Sequence, residues 1–272
     1  MVAKVSEDKS NMKFFIELRR RLIRISISVI VIISLSMTMS ITIINFGDYK
    51  IPILYPDTFH SISAQIISFM KDTLLPKSVS LIQVAPGQAF TAQIYVAIVS
   101  GIIFSIPIIF RELIAFIGPA LHYREKKVIQ NLVLPSISLF VAGCFFSYYI
   151  VIPYTIEFLY KYGVSMDVTS FFDITQFISF VVHLLLIFGL SYQFPLIIWV
   201  LTKTKITKPQ FWRSNFRYVI IIIVIIGAII TPDGSGITMW FVVGPMLLLY
   251  LIGILIIELR FGSNGLKKYN IS

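Results

Sequence analysis

Cysteine is almost absent from this 272-residue chain: Cys144 stands alone. No internal disulfide can form, and three scattered histidines (His60, His122 and His183) supply no Cys/His metal cluster. Charge is scarce as well. Asp, Glu, Lys and Arg make up 13% of the residues against about 25% in ordinary soluble domains, while 57% are hydrophobic and mean hydropathy is +0.88. These values exclude a disordered, nucleic-acid-binding or soluble catalytic protein as the first reading. Catalytic signatures are missing too, for the sequence has no Gly-rich phosphate loop after a strand, no G-x-S-x-G elbow and no HExxH metal motif. A non-enzymatic membrane protein without a cofactor or metal is expected, and the net charge of +10 needs a membrane explanation.

What the chain does have is long charge-free runs. Crossing a hydrocarbon core of about 30 Å takes roughly 20 apolar residues as helix, and six intervals lack charged residues: 25–47, 78–110, 128–156, 174–202, 218–232 and 234–257. Ile and Val dominate them, but runs of this length without period-2 alternation read as helices, which excludes an outer-membrane barrel. The expected architecture is an all-α membrane protein of one transmembrane domain, 1–272, with helices near 25–46, 86–110, 128–156, 174–202, 217–231 and 237–257. The fifth run, at 15 residues, spans only about 22 Å as helix, so the bilayer is expected to thin around it. Pro107, Pro135, Pro153, Pro195 and Pro245 fall within or near the ends of spans and predict kinked helices. The first run exceeds the apolar core of a signal peptide and is read as a retained anchor.

Six spans put both termini on one side. Nineteen of the 23 Lys and Arg lie on that side, leaving Lys50, Lys71, Lys77 and Lys161 across the membrane. Glu7, Asp8, Glu17, Glu112, Glu125 and Glu258 share the basic face, so the two faces carry about +13 and −3. The positive-inside rule makes the basic face cytoplasmic, with both termini inside, and no nucleic-acid partner is required. In the external loop, 48–77, Phe59, Ile62, Ile66, Phe69 and Met70 follow helical spacing, which predicts a short helix lying along the outer interface.

No acid falls near mid-membrane, where ion-driven transporters usually place one; the conspicuous polar residues inside spans are His183 and Gln193. A lone His183 reads more readily as a packing or hydrogen-bonding residue than as a proton relay. Two acids on the basic face stand out. Glu17 lies in FFIELRRRL, 14–22, where an i,i+4 ion pair to Arg21 is one reading. Glu125 lies in FIGPALHYREKK, 116–127, between Arg124 and Lys126, where a solvated loop charge is one reading.

At these residues the sequence resembles the TatC family, the membrane-embedded receptor subunit of the twin-arginine protein translocase. ELRRRL at 17–22, PGQAF at 86–90, FIGPAL at 116–121 followed by Glu125, FGLSYQFP at 188–195, Arg217, ITPD at 230–233 and GPMLLLY at 244–250 look like the family's signature segments in order. The resemblance implies a cupped-hand scaffold of six kinked helices, the last two short. It also implies a receptor that binds the paired arginines of the signal peptides of folded precursors on the cytoplasmic face. Such a receptor recruits TatA-type and, where present, TatB-type single-span subunits, assembles as a homo-oligomer within the receptor complex, and drives export by the proton-motive force without hydrolysing nucleotide. The resemblance implies signal-peptide contacts at Glu17, Arg19, Phe116 and Glu125, with Arg19 positioning Glu17 or the nearby loop. It implies partner-subunit contacts at Gln193, Thr231 and Asp233; Gln193 stands where the family often has Glu, and a helix-packing amide is its other reading. The implied location is the plasma membrane of a prokaryote, with an organelle inner membrane as the alternative. A small secondary transporter and a structural subunit of a membrane complex are the competing readings; the inverted repeats and buried ion-binding carboxylates of the former are not visible in the sequence.

Overall fold

The computed structural model describes residues 2–46, 49–77, 79–117, 131–167, 171–231 and 236–262. Among the described residues five helices are long and apolar enough to cross a membrane: Phe15–Thr38, Gln88–Phe116, Val133–Val164, Ile174–Lys203 and Ile237–Arg260, with Phe216–Ile230 as a shorter apolar helix. The chain divides into two compact units, Met1–Ser68 with Gln93–Ile137, and Phe69–Ala92 with Ser138–Ser272.

In the first unit, α1 (Val2–Thr38) leads into an antiparallel hairpin of β1 (Met39–Phe46) and β2 (Tyr49–Pro56), in the register Met39↔Pro56 to Phe46↔Tyr49. The stretch 39–46 is therefore strand, where the absence of charge through residue 47 predicts continuing helix. Its composition explains the difference: Ile41, Thr42 and Ile43 are β-branched, a type of side chain that suits a pleated surface. Hydropathy measures apolarity and is blind to that preference. Pro52 in β2 lacks an N–H, which a hairpin strand tolerates on its open edge. Ser61 then caps α2 (Ile62–Leu74), accepting from the Ala64 amide at 3.3 Å.

The long helix α3 (Gln88–Ile117) meets α1 through small residues. A Cβ built on Gly101 would lie 2.6 Å from Ile33 Cγ1 and 3.2 Å from the Val29 carbonyl oxygen. The hydroxyls of Ser28 and Ser105 are 3.0 Å apart, and Ser100 donates to Ser36 at 3.3 Å. Close backbone approach with hydroxyl pairing is how helices associate where lipid offers no hydrophobic gain.

In the second unit, α4 (Val133–Phe146) passes through a π-helical turn, Ser147–Val151, into α5 (Ile152–Val164). Pro153 explains the turn, because its ring would clash with a carbonyl one α-turn earlier and it has no N–H to donate. Short parallel strands β3 (Ser80–Ile82) and β4 (Phe171–Asp173) pair, and Asp173 caps α6 (Ile174–Ser191) by accepting from Thr175 and Gln176 amides at 2.9 and 3.0 Å. Pro195 sits at the start of α7 (Phe194–Lys203), so the fourth span consists of two helical pieces joined at Tyr192 and Gln193.

A short helix α8 (Pro209–Ser214) precedes α9 (Phe216–Ile230) and α10 (Ile237–Ile257). Ile198, Tyr250, Ile254 and Ile257 form a core with Trp199, Trp212, Phe216 and Val219 packed against it. Tyr250 closes this core from inside, its hydroxyl donating to the Trp212 carbonyl at 2.8 Å. The two final helices differ: α9 is short at 15 residues, whereas α10 has 21, about 31 Å at 1.5 Å per residue, and reaches the full hydrocarbon thickness.

Candidate functional site

Glu17, Arg21 and Arg24 fall at helical spacing on one face of α1, and the fold brings Glu112 of α3 to that face from 91 and 88 residues away. Glu17 Oε1 accepts from Arg21 Nε at 3.1 Å and Nη2 at 2.5 Å. The third guanidinium nitrogen, Nη1, donates to Glu112 Oε2 at 2.9 Å, and Arg24 Nη1 donates to Glu112 Oε1 at 3.1 Å. The order along the chain of contacts is Glu17, Arg21, Glu112, Arg24, two acids alternating with two bases. Beside it opens a recess of about 300 Å³ lined by Ile16, Glu17, Arg20, Arg21 and Arg24.

Exposure grades across the cluster. The Glu112 side chain is 10% exposed, Arg21 18%, Glu17 42% and Arg24 54%. A guanidinium is planar with donors in a fixed fork, so a sheltered carboxylate is its best partner. Chemically the site holds guanidinium groups; that is what Arg21 is doing in it.

The i,i+4 pair between Glu17 and Arg21 follows directly from sequence spacing. Glu112 does not: it is the one charged residue buried among those described, at 8% exposure, and the sequence shows it only as one of six acids on the basic face. The signal that could have found it is a lone acid in the last turns of an apolar helix, on the same face of a protein as a run of arginines. Phe116 lies four residues after Glu112, one helical turn on, and is half-buried at the end of α3. Arg19 lies elsewhere: it is exposed and lines a second, more apolar recess with Phe15, Leu18, Leu22, Ile23, Ser26 and Ile27. Arg21, then, is the arginine that holds Glu17. Glu125 and Asp233 lie outside the described residues.

The remaining expected residues sit in the second unit. Gln193 is buried at 5% exposure in the joint between α6 and α7, its backbone N–H donating to the Leu190 carbonyl at 3.0 Å. Thr231 is buried at the C-terminus of α9, its hydroxyl donating to the Gly227 carbonyl at 3.0 Å. His183 is exposed on α6 with Nδ1 3.2 Å from Ser179 Oγ on its own helix. Among the described residues no group of three or more His, Cys, Asp or Glu could hold a metal ion.

Residues 13–245 match the family described as Sec-independent protein translocase protein (TatC). The chain is 43% identical over 248 residues to the Sec-independent protein translocase protein TatC of Cenarchaeum symbiosum, covering 91% of this chain and 94% of that one. It is 34% identical over 192 residues to the protein of the same name from Aquifex aeolicus, covering 70% and 79%. Among solved structures it is similar to a twin-arginine translocase receptor, TatC, with a TM-score of 0.75 at 30% identity, covering 90% of this chain and 98% of the other.

Proposed function

The chain belongs to the TatC family of Sec-independent protein translocase proteins, and from that premise we propose that the arginine-lined recess on α1 is where it receives the paired arginines of a signal peptide. It is an integral membrane protein of the translocase and not an enzyme. The observation that carries the reading is Glu17: a carboxylate that already takes two donors of one guanidinium, beside a recess with room for another side chain. On a face rich in Lys and Arg a basic signal is repelled, so a partly sheltered acid forms a local well for it.

In this reading Glu17 takes one signal arginine and Glu125 the other, with Phe116 shaping the segment that leads from α3 to Glu125. Arg19 contributes from the neighbouring apolar recess, whose Leu18, Leu22 and Ile27 suit the uncharged part of a signal. The termini face the cytoplasm of a prokaryotic cell, copies of the chain associate in the receptor complex, and the proton-motive force drives export. TatA-type and TatB-type single-span subunits engage the segment after α9 that carries Thr231 and Asp233. Gln193, enclosed by its own chain, supports the neighbouring helix face from within.

Export of a folded reporter behind a twin-arginine signal, in cells relying on this protein alone, tests the assignment. Glu17→Gln and Glu125→Ala are each expected to abolish export while the protein accumulates normally in the membrane. Wild-type export by Glu125→Ala would remove that residue from the site, and wild-type export by Glu17→Gln would move the recognition site away from α1.

A further inference from the structure

Glu112 is the buried member of the cluster, and nothing in the reading above uses it. It receives Arg21 Nη1 on one oxygen and Arg24 Nη1 on the other. A carboxylate sheltered in this way gains little net stability from its ion pairs, because desolvation offsets most of the Coulombic attraction. Its effect on Arg21 is more specific. Arg21 has two acid partners on opposite edges of its guanidinium, Glu17 through Nε and Nη2 and Glu112 through Nη1. It therefore competes with any incoming guanidinium for Glu17, while a second acid stands ready to hold it.

We propose that Glu112 is a positioning residue of the arginine dock: it retains Arg21 when a signal arginine takes Glu17, and so sets how available Glu17 is. This rests on the assignment of Glu17 as a signal-arginine partner. The charge count supports it. Two acids and two bases make the cluster neutral, and a docking guanidinium brings it to +1. With Glu112 in place, Arg21 leaves Glu17 yet keeps a charge-assisted hydrogen bond. With a neutral side chain at 112, Arg21 has Glu17 as its one acid partner in the cluster, and the ligand must strip it bare in a sheltered setting, a costly step.

The test is binding of a fluorescent Arg-Arg signal peptide to the full chain in nanodiscs, with monodispersity and helix content checked for each variant. Glu112→Gln is expected to weaken binding tenfold or more, and Glu112→Asp to stay within about threefold of wild type, consistent with the strength of charge-assisted hydrogen bonds. The decisive arm is the double variant. Glu112→Gln with Arg21→Gln removes the competitor along with its holder and restores neutrality, so it is expected to recover affinity to within about threefold of wild type. Arg21→Gln alone leaves Glu112 paired with Arg24, and is expected to bind more tightly than wild type even if Glu112→Gln fails to fold. Wild-type affinity in Glu112→Gln, a double variant that binds no better than Glu112→Gln, or weaker binding in Arg21→Gln would each overturn the proposal. Should Glu17→Gln bind the peptide as tightly as wild type, the assignment of Glu17 itself fails, and Glu112 with it.

Discussion

Gly143 of α4 faces the backbone of α6, and the sign of one substitution there tests how closely the two helices pack. Gly143 lies inside α4, where replacing glycine by alanine in an unpacked helix gains about 1 kcal/mol of propensity. Here a Cβ would lie 2.6 Å from the carbonyl oxygen of Phe188 and 3.0 Å from the Cα of Gly189. Both obstacles are backbone atoms of a neighbouring helix, so no side-chain rotation relieves them and the helices must move apart. Separation would loosen a seam in which a Cβ on Gly189 would lie 2.7 Å from Phe140 Cε2 and Cys144 Sγ lies 3.5 Å from the Leu185 carbonyl. Overpacking costs about 1–3 kcal/mol; obstacles that are backbone put this site at the upper end, about 3, so with the propensity gain of about 1 subtracted Gly143→Ala should lose about 2 kcal/mol. At roughly 2–4 °C per kcal/mol for chains of this order of size, the thermal transition of purified protein falls by several degrees. Fluorescence-detected size exclusion after a temperature series reads this directly, with Ile229→Ala, 79% exposed on α9, as the control that should move little. A transition unchanged or raised in Gly143→Ala would refute the close approach of α4 and α6.

Two further outcomes follow from local chemistry. Asp57 accepts hydrogen bonds from the Phe59 and His60 amides at 2.8 and 3.1 Å, and its other oxygen lies 3.0 Å from His60 Nδ1. These bonds, that of the His60 amide first, hold its carboxyl below the usual Asp range. A lowered folded pKa means that the contribution is full above the unfolded value near 4 and is lost as pH falls through the folded value. Hydrogen exchange at Phe59 and His60, corrected for its intrinsic pH dependence, should hold steady from pH 7 to about 5 and lose protection below about 4, and Asp57→Asn should lack that step. For topology, Lys205→Cys is expected to react with an impermeant maleimide from the cytoplasmic side and Lys71→Cys from the opposite side, each in a Cys144→Ser background; labelling of both from one side would overturn the arrangement.

The sequence exposes the lipid-crossing part of this protein because charge is nearly absent from it, and long apolar runs leave few alternatives to helix. It hides the hairpin because 39–46 is as apolar as the helix before it, and an ordinary hydropathy profile cannot separate Ile and Thr in a strand from Ile in a span. It shows the ordinary length of α10, since the 237–257 expected from the charge-free run is the helix found; a short sixth helix was implied by the resemblance alone. At the site, Glu17 and Arg21 are visible from their spacing of four, a local relation. Glu112 is invisible for the opposite reason: only the packing of α3 against α1 carries it to Arg21 and Arg24. Arg19 and Glu17 line different recesses for a geometric reason, because two residues along a helix turn a side chain by about 200°.

The most direct test of the account is the binding of fluorescent signal peptides to the purified full-length protein in nanodiscs, comparing Arg-Arg with Lys-Lys versions, with Glu17→Gln and Glu125→Ala as controls. Lysine keeps the charge and loses the forked geometry. Arg-Arg peptide binding at least tenfold tighter than Lys-Lys, with the difference abolished in both variants, is the predicted result. Equal affinity for the two peptides in folded wild-type protein would contradict a receptor that reads guanidinium groups.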